Sequence, residues 1–501
     1  MFKLLKLDIS HHSYFGDISL DFVNETEENY GPYTTLIIGP NGTGKSQILA
    51  VIIEIFNYVS SSKIKDKFYY KFDYSFDILY TFNNQKIRIY NTSGKTKIKL
   101  GKQTVDFKAV PIPEKILASA ISLTDRYPNL TKKSKLFNPN YEYLGIRSAS
   151  NNAFVNNHVK SVVDNLSDAI SKELKLEQLR FLFIDLGLVP EISIKYKAGI
   201  RFQQHFFEGE NLFTPSIKDK IIEYFNDYIP NQKSKTDYRT EKYEKTLKAD
   251  FRIDAASEFL SYNSTHFKTK FKNKITYNST LDFSSEESIR NFIKEIIALK
   301  TLIDLEILAY EKIGLKKSEM NFSFTDASSG EYHLLTSFIG IFSKIEENSI
   351  ILIDEPEISL HPNWQMKYMN NLNRIFESYK TCHFIIASHS HFLVSDLKEQ
   401  QSSILKLFYN NQSNKIDSTR LDWNTYAWSA EQVLIEVFKV PSSRNIFLTE
   451  LINDTLHLMA KEELNLNQQL KLNEYKDQLS NFELDLKTSD PLKTIIKKIL
   501  D

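Results

Sequence analysis

The sequence predicts an α/β fold whose parallel-sheet core is interrupted by a long insertion, and three observations predict it. Thr34-Thr35-Leu36-Ile37-Ile38 is a short apolar strand that runs into Gly39-Pro40-Asn41-Gly42-Thr43-Gly44-Lys45-Ser46, then into Gln47–Tyr58 with apolar residues at helical spacing. Ile350–Ile353 and Phe384–Ala387 are apolar runs of the kind found in strands buried on both faces of a parallel sheet. Phe72, Tyr74, Phe76, Ile78, Tyr80 and Phe82 alternate at period two, as in an antiparallel strand with one wet face. Pieces of one head therefore stand near both ends of the chain. Residues 1–150 are expected to hold its N-terminal part with an antiparallel β-subdomain, 151–320 an inserted α-rich lobe, 321–400 its C-terminal part, and 401–501 a helical region for oligomer or partner contacts.

The glycine loop matches G-x-x-x-x-G-K-[ST] in full, between the strand and helix that the motif requires. Gly39, Gly42 and Gly44 let backbone N–H groups turn inward around phosphate oxygens, with Pro40, Asn41 and Thr43 completing the cradle. The helix N-terminus adds partial positive charge. Lys45 is placed to reach the β- and γ-phosphates and Ser46 to ligate Mg²⁺. A glycine-rich turn without a ligand is the plainer alternative, and the complete motif in its full context speaks against it.

The late strands carry the rest of the chemistry. Asp354 and Glu355 follow Ile350–Ile353 at its carboxyl end, where α/β sheets bind ligands. Asp354 would hold Mg²⁺, directly or through water, and Glu355 would polarise the attacking water. Two such acids can also cap the next helix. Ser388-His389-Ser390 ends the second strand, and His389 is placed to contact the γ-phosphate, although a lone histidine at a strand end is more often structural. Ala327-Ser328-Ser329-Gly330-Glu331 opens the helix leading into the acidic strand, and its Ser-x-Gly turn makes a second phosphate-binding nest. One site needs one phosphate loop, so a second nest implies binding the nucleotide of another subunit.

This order of motifs resembles ABC-type ATPases of the SMC/RecF/OLD branch. The resemblance implies an ABC-type P-loop head that uses ATP and Mg²⁺. Ser328 and Gly330 take the places of the signature serine and second glycine, and Ser359–Pro362 the place of the D-loop. The match departs at Ala327, Ser329 and Glu331, where transporters favour Leu, Gly and Gln. No Q-loop glutamine stands out. Asp125, in the turn after the apolar Lys115–Leu123, is a substitute for it, or an ordinary turn residue.

Totals narrow the field. The chain has 501 residues, 42% hydrophobic and 25% charged, enough for a large core and two lobes. Lys+Arg and Asp+Glu balance at 63 each, so no global field draws the chain to nucleic acid. The single cysteine, Cys382, excludes an internal disulfide and fits a reducing compartment. Met1–Ile9 reads as a strand rather than a signal peptide, and no run reaches membrane-spanning length, so a cytoplasmic chain without membrane contact is expected.

Taken in order, Leu4–Ile9 and Ile18–Phe22 are strands, and His11, Tyr14 and Phe15 between them are candidates for base stacking or for core packing. Lys86–Tyr90 and Lys97–Leu100 continue the meander begun at Phe72. Arg147, in Tyr141–Ser148, could face phosphate, a neighbouring subunit or a surface ion pair. Asn157–Leu186 carries helical spacing and Gly187 stops it. Phe267–Lys274 reads as one strand with Lys268, Lys270, Lys272 and Lys274 on one face, either protecting a sheet edge or contacting a phosphate backbone. Ser284–Leu315 reads as one long helical stretch, and no sustained heptad array predicts a coiled-coil arm. Ser429 is a candidate N-cap, Glu450–Phe482 an amphipathic helix and Asp490-Pro491 the start of a last one.

Tyr141–Ser148 and the segment Thr425–Arg444 also resemble PtuA-type ATPases of Septu and retron-associated defence systems. That resemblance implies an ATPase subunit of a prokaryotic antiviral complex, assembled as a homo-oligomer around a separate nuclease of the HNH type. A RecF-like DNA-repair clamp and an OLD-type nuclease with its own metal site are the competing readings. The first would use the lysine stripe to contact DNA, and the second would need an acidic triad that the region after His391 does not display.

Overall fold

A computed structural model describes the chain apart from residues 24–30, 66–69, 93, 123, 129, 131–133, 146–153, 171–175, 200–206, 209–210, 213–216, 233–237, 264–265, 267, 271–273, 399, 422–424, 440–444, 462–463, 486–490 and 501. Arg147 and Lys272 lie outside the described residues. The chain divides into two units, Met1–Tyr426 and Ala427–Asp501.

The first unit begins with β1 (Phe2–His12), β2 (Gly16–Asp21), β3 (Tyr33–Ile38) and the 20-residue helix α1 (Lys45–Ile64). The meander β4 (Ser75–Phe82), β5 (Gln85–Thr92), β6 (Lys95–Leu100) and β7 (Gln103–Val105) follows, then β8 (Ile116–Ala120) and β9 (Tyr141–Tyr143). Phe76, Ile78, Tyr80 and Phe82 of β4 are all buried while the residues between them are not, so the period-two pattern becomes a sheet with one dry face. The resulting antiparallel sheet has the order β2-β1-β4-β5-β6-β7.

The inserted region comprises α2 (Phe154–Ile170), α3 (Leu176–Asp185), β10 (Glu191–Ala198), the short pair β11 (Phe207–Glu208) and β12 (Asn211–Leu212), α4 (Ile217–Gln232), α5 (Tyr238–Leu247), α6 (Asp250–Tyr262), β13 (Lys268–Lys270), β14 (Lys274–Asp282), α7 (Glu286–Asp304), β15 (Leu308–Lys317) and β16 (Met320–Ser323). Besides its helices it holds an antiparallel sheet of order β13-β14-β10-β15-β16, which the expectation of an α-rich lobe did not include. Ser284–Leu315 is not one helix. Glu306 adopts a left-handed φ of 56° that ends α7, and Leu308–Lys317 then alternates buried and exposed as β15. Phe267–Lys274 is likewise not one strand: it is divided between β13 and β14, with Lys270 opposite Lys274 in an antiparallel pair. β13 is the sheet edge.

The head resumes with α8 (Ser329–Lys344), β17 (Ile350–Asp354), α9 (Pro362–Ile375), β18 (His383–Ser388), α10 (His391–Ser395), β19 (Ser402–Asn410) and β20 (Lys415–Leu421). The central sheet has the order β20-β19-β3-β18-β17-β8-β9, parallel from β19 to β9. Every residue of β3, β8, β17 and β18 is buried. Helical structure therefore begins later than expected after residue 400, because β19 pairs with β3 (Leu405 opposite Ile37) and extends the sheet. His383, fully buried and with its pKa pushed down to about 3 by burial, accepts the Leu4 amide at Nδ1 and meets Thr35 Oγ1 through Nε2 at 2.9 Å. This neutral ring joins the two sheets.

The second unit contains α11 (Ala430–Glu436), capped by Ser429, then α12 (Ile446–Met459), α13 (Leu466–Asp485) and α14 (Pro491–Leu500). Leu448, Leu451, Ile452, Leu479, Ile496 and Ile499 form its own small core. Among the described residues no helix is long and apolar enough to cross a membrane.

Candidate nucleotide site

The glycine loop leaves β3 and is held open by positions that exclude side chains. A Cβ on Gly39 would stand 2.6 Å from the Leu407 carbonyl of β19. Gly42 and Gly44 take φ of 80° and 84°, and a Cβ on Gly44 would run into the Phe15 ring. Thr43 closes the loop by donating its hydroxyl to the Pro40 carbonyl at 2.9 Å, while Pro40 and Asn41 stay exposed. Phe15 is thus core, packed beneath the loop, whereas half-exposed Tyr14 donates its hydroxyl to the Gly42 carbonyl and His11 lies exposed.

Lys45 is nearly buried. Its amine donates to the Gly39 carbonyl at 2.9 Å and the Pro40 carbonyl at 3.3 Å, and lies 3.4 Å from His389 Nδ1. Burial lowers its pKa to about 8, against the opposing pull of Glu355, Glu357 and Asp354. Next to it, Ser46 donates its hydroxyl to Asp354 Oδ1 at 2.8 Å. Burial raises the Asp354 carboxyl to about 6, opposed by the Ser46 hydrogen bond and reinforced by Glu355, Asp125 and Glu357.

Parallel pairing of β17 with β18 sets the opposite wall. Glu355 turns out of the strand at a φ of 49°, its amide donating to the Ala387 carbonyl at 2.9 Å. Its carboxylate is 3.5 Å from His389 Nε2, and this contact holds the carboxyl below its usual range. His389 thus stands between Lys45 and Glu355. Its backbone amide donates to Glu357 Oε1 at 2.5 Å.

The residues fit a nucleotide with a hard divalent cation. Ser46 and Asp354 are oxygen donors 2.8 Å apart, close to the ~3 Å edge of an octahedron with magnesium's ~2.1 Å bonds. Magnesium is ordinarily held by one or two protein oxygens, with phosphates and water as its other ligands.

Ser328, Ser329, Gly330 and Glu331 form a second cluster that makes no hydrogen bond to the glycine loop among the described residues. Ser328 caps α8: its Oγ accepts the Glu331 amide at 3.3 Å, and Glu331 Oε2 accepts the Ser328 amide at 3.0 Å. Lys317 of β15 lies 3.6 Å from Glu331 Oε1. The Glu331 carboxylate is therefore turned into its own helix cap, a partnership that the Ser-x-x-Glu spacing could have announced. Ser328 and Ser329 remain exposed. Gly330 is buried because a Cβ there would meet the Ser359 carbonyl at 2.9 Å and the Trp364 ring at 3.2 Å.

Asp125 follows β8, the neighbour of β17. Its carboxylate accepts the Tyr127 amide at 2.9 Å and the Tyr143 hydroxyl at 2.7 Å. Three residues in this region escaped sequence reasoning: Glu357, Trp364 and Gln365. The only hint was their closeness to Asp354-Glu355 and to Ser359–Pro362.

A profile of the AAA ATPase domain family matches residues 3–394. The chain belongs to this ATPase family. It is also similar to the Retron Vc95 probable ATPase of Vibrio cholerae serotype O1 biovar El Tor, at 23% identity over 426 residues, covering 80% of this chain and 74% of that one. Among solved structures it is similar to the Smc head domain with an extended coiled coil from Pyrococcus furiosus (12% identity, 88% of this chain and 100% of that one, TM-score 0.33). A second is the SMC head domain from Thermotoga maritima (12% identity, 84% and 100%, TM-score 0.31). In this ATPase the phosphate loop after β3 and the acidic pair after β17 lie at the carboxyl edge of one parallel sheet.

Proposed function

We propose that this chain binds and hydrolyses ATP as a subunit of a prokaryotic antiphage defence complex of the PtuA-like, retron-associated kind. In this reading it oligomerises through ATP held between subunits and scaffolds a separate nuclease of the HNH type. The observation that carries the nucleotide reading is the meeting of Ser46 with Asp354, and of His389 with both Lys45 and Glu355, at the carboxyl edge of one parallel sheet. Likeness to a retron ATPase supports the defence context.

Gly39–Ser46 cradles the triphosphate with backbone N–H groups, and Lys45 moves its amine from the loop carbonyls to the β- and γ-phosphates. Ser46 and Asp354 would hold Mg²⁺, which would supply charge neutralisation to the triphosphate when bound. Glu355, kept ionised by His389, accepts a proton from water as the water oxygen bonds to the γ-phosphorus. The bond to the β-phosphate oxygen breaks and ADP leaves. His389 stabilises the γ-phosphoryl oxygens. Ser328 and Gly330 serve the ATP of a neighbouring copy, which leaves their own chain's site incomplete without a partner. The carboxylate of Glu331 orders that helix end rather than touching phosphate.

The test is to tag the chain in its native cells, purify it with ATP and Mg²⁺, and record native mass and co-purifying proteins. A multi-subunit ATPase carrying a stoichiometric nuclease is the expected result. A bare dimer retaining DNA would replace the reading with a DNA clamp. A lone monomer without ATP-dependent assembly would overturn the sandwich.

A further inference from the structure

The D-loop segment Ser359–Pro362 lies between two side-chain ties to the loop that carries His389. On its N-terminal side, Glu357 Oε1 accepts the His389 amide at 2.5 Å. On its C-terminal side, Gln365 in the first turn of α9 spans two partners. Its Nε2 donates to the Leu360 carbonyl at 3.0 Å, and its Oε1 accepts the Ser390 hydroxyl at 2.7 Å. A carbonyl can only accept, so the NH₂ end must face Leu360 and the oxygen must face Ser390. Ser390 is buried, and its own amide donates to Ser388 Oγ at 2.9 Å. The histidine therefore sits in a loop whose backbone and next side chain are both fastened to the D-loop. The fastening continues outward, because Ser359, at a left-handed φ of 65°, and Trp364 both crowd Gly330 of the signature turn.

We propose that Gln365 is a positioning residue that couples His389 to the D-loop. Occupancy of the γ-phosphate position in one subunit then resets the surface that Ser359 and the signature turn present to the next. The inference rests on the ATP reading above and adds to it a named link between the cis and trans halves of the machinery. Glutamine suits the place because it alone offers a donor to a carbonyl and an acceptor to a hydroxyl at this reach. Glutamate would keep the Ser390 contact and lose the one to Leu360. Alanine would lose both.

The test uses the full-length chain and Gln365→Ala, Gln365→Glu, Ser390→Ala and the Gln365→Ala/Ser390→Ala double variant. Three quantities are read: affinity for a fluorescent ATP analogue, kcat for ATP, and hydrogen exchange of backbone amides 357–366 with and without the non-hydrolysable analogue and Mg²⁺. In the wild type, nucleotide should change exchange in 357–366. Gln365→Ala and Ser390→Ala should each abolish that change and lower kcat about tenfold, the scale of one lost hydrogen bond, with affinity within about twofold of wild type. The double variant should be no worse than either single one, and Gln365→Glu should behave as alanine does. Additive losses, or a D-loop that responds normally in Gln365→Ala, overturn the coupling while leaving the ATP reading intact. A wild-type chain that binds no nucleotide overturns the ATP reading, and this inference with it.

Discussion

Raising the pH should weaken ATP binding from about pH 8 upward, and the cause is one amine. Lys45 is buried among loop carbonyls, and that burial brings its pKa down from the ordinary 10.5 to about 8. Triphosphate oxygens within reach favour the charged amine and return its pKa towards the ordinary value. Below pH 8 the amine already carries its proton in the free chain, so binding takes up none and affinity is flat. Above pH 8 each binding event must take up a proton, and apparent affinity falls about tenfold per pH unit, approaching a hundredfold by pH 10. The assay is titration with a fluorescent ATP analogue in EDTA between pH 7.5 and 10, where the terminal phosphate is already ionised. EDTA removes the metal and with it any contribution from Asp354. Calorimetry at pH 9 in two buffers of different ionisation enthalpy should count close to one proton taken up. Lys45→Met should bind weakly at every pH and show no slope. An affinity that stays level to pH 10 in the wild type would refute the claim that Lys45 is desolvated in the free chain and recharged by phosphate.

Other perturbations read other parts of the site. Glu355→Gln keeps the hydrogen-bonding shape but cannot take a proton, so hydrolysis should fall by roughly 10²–10⁴-fold while ATP binding persists and the oligomer accumulates, as read by phosphate release and native mass. Lowering the pH through about 6 protonates Asp354, whose carboxyl is raised by burial, so the Mg²⁺ requirement for hydrolysis should steepen below pH 6 and stay constant above it. Gly330→Ala places a methyl group against the Ser359 carbonyl and the Trp364 ring, and overpacking should cost about 1–3 kcal/mol in a urea midpoint at unchanged slope. Asp185→Ala removes an acceptor shared by Lys367 at 2.9 Å and Asn371 at 2.8 Å. Lys367 is half exposed, so the loss should stay near ~1 kcal/mol, mostly from the Asn371 bond, by the same measurement.

How far the sequence could be read depends on how tightly local chemistry constrains each residue. Gly44 needs a positive φ and has no room for a Cβ over Phe15, so its identity is forced by its own backbone and stands out in the sequence. The meeting of Ser46 with Asp354 across 308 positions was legible because each belongs to a motif with a fixed strand context. Periodicity performed less well. Leu308–Lys317 follows a helix without a glycine or proline, so its strand alternation merged into the helical reading, and the break at Glu306 had no sequence signal. Phe271-Lys272-Asn273 also lacks glycine and proline, so the hairpin pairing Lys270 with Lys274 passed for one strand. Glu357 and Gln365 look like ordinary solvated residues after a strand and at a helix start. Their partners, His389 and Ser390, are supplied only by tertiary structure.

The inserted lobe explains how the helices that begin at Ser329 and Pro362 are held in place. Helix α8, which opens on the signature turn, is fastened to the lobe at both ends. Lys317 of β15 lies 3.6 Å from Glu331 in its first turn, and Lys344 in its last turn donates to Asp168 of α2 at 2.7 Å. Asp168 also receives Lys300 of α7 at 2.7 Å. Burial alone would push its carboxyl up, but the two amines outweigh that and hold it below the usual range, so it remains an ionised clasp. Helix α9, which follows the D-loop, is gripped by α3 in the same way. Lys367 and Asn371 bind Asp185, and the Arg374 guanidinium lies 3.6 Å from the centre of the Phe181 ring. Between the two helices there is no room for a side chain at Gly330, where a Cβ would stand 2.9 Å from the Ser359 carbonyl. The lobe thus holds both helices in place, α8 through charged clasps at its two ends and α9 through Asp185 and Phe181.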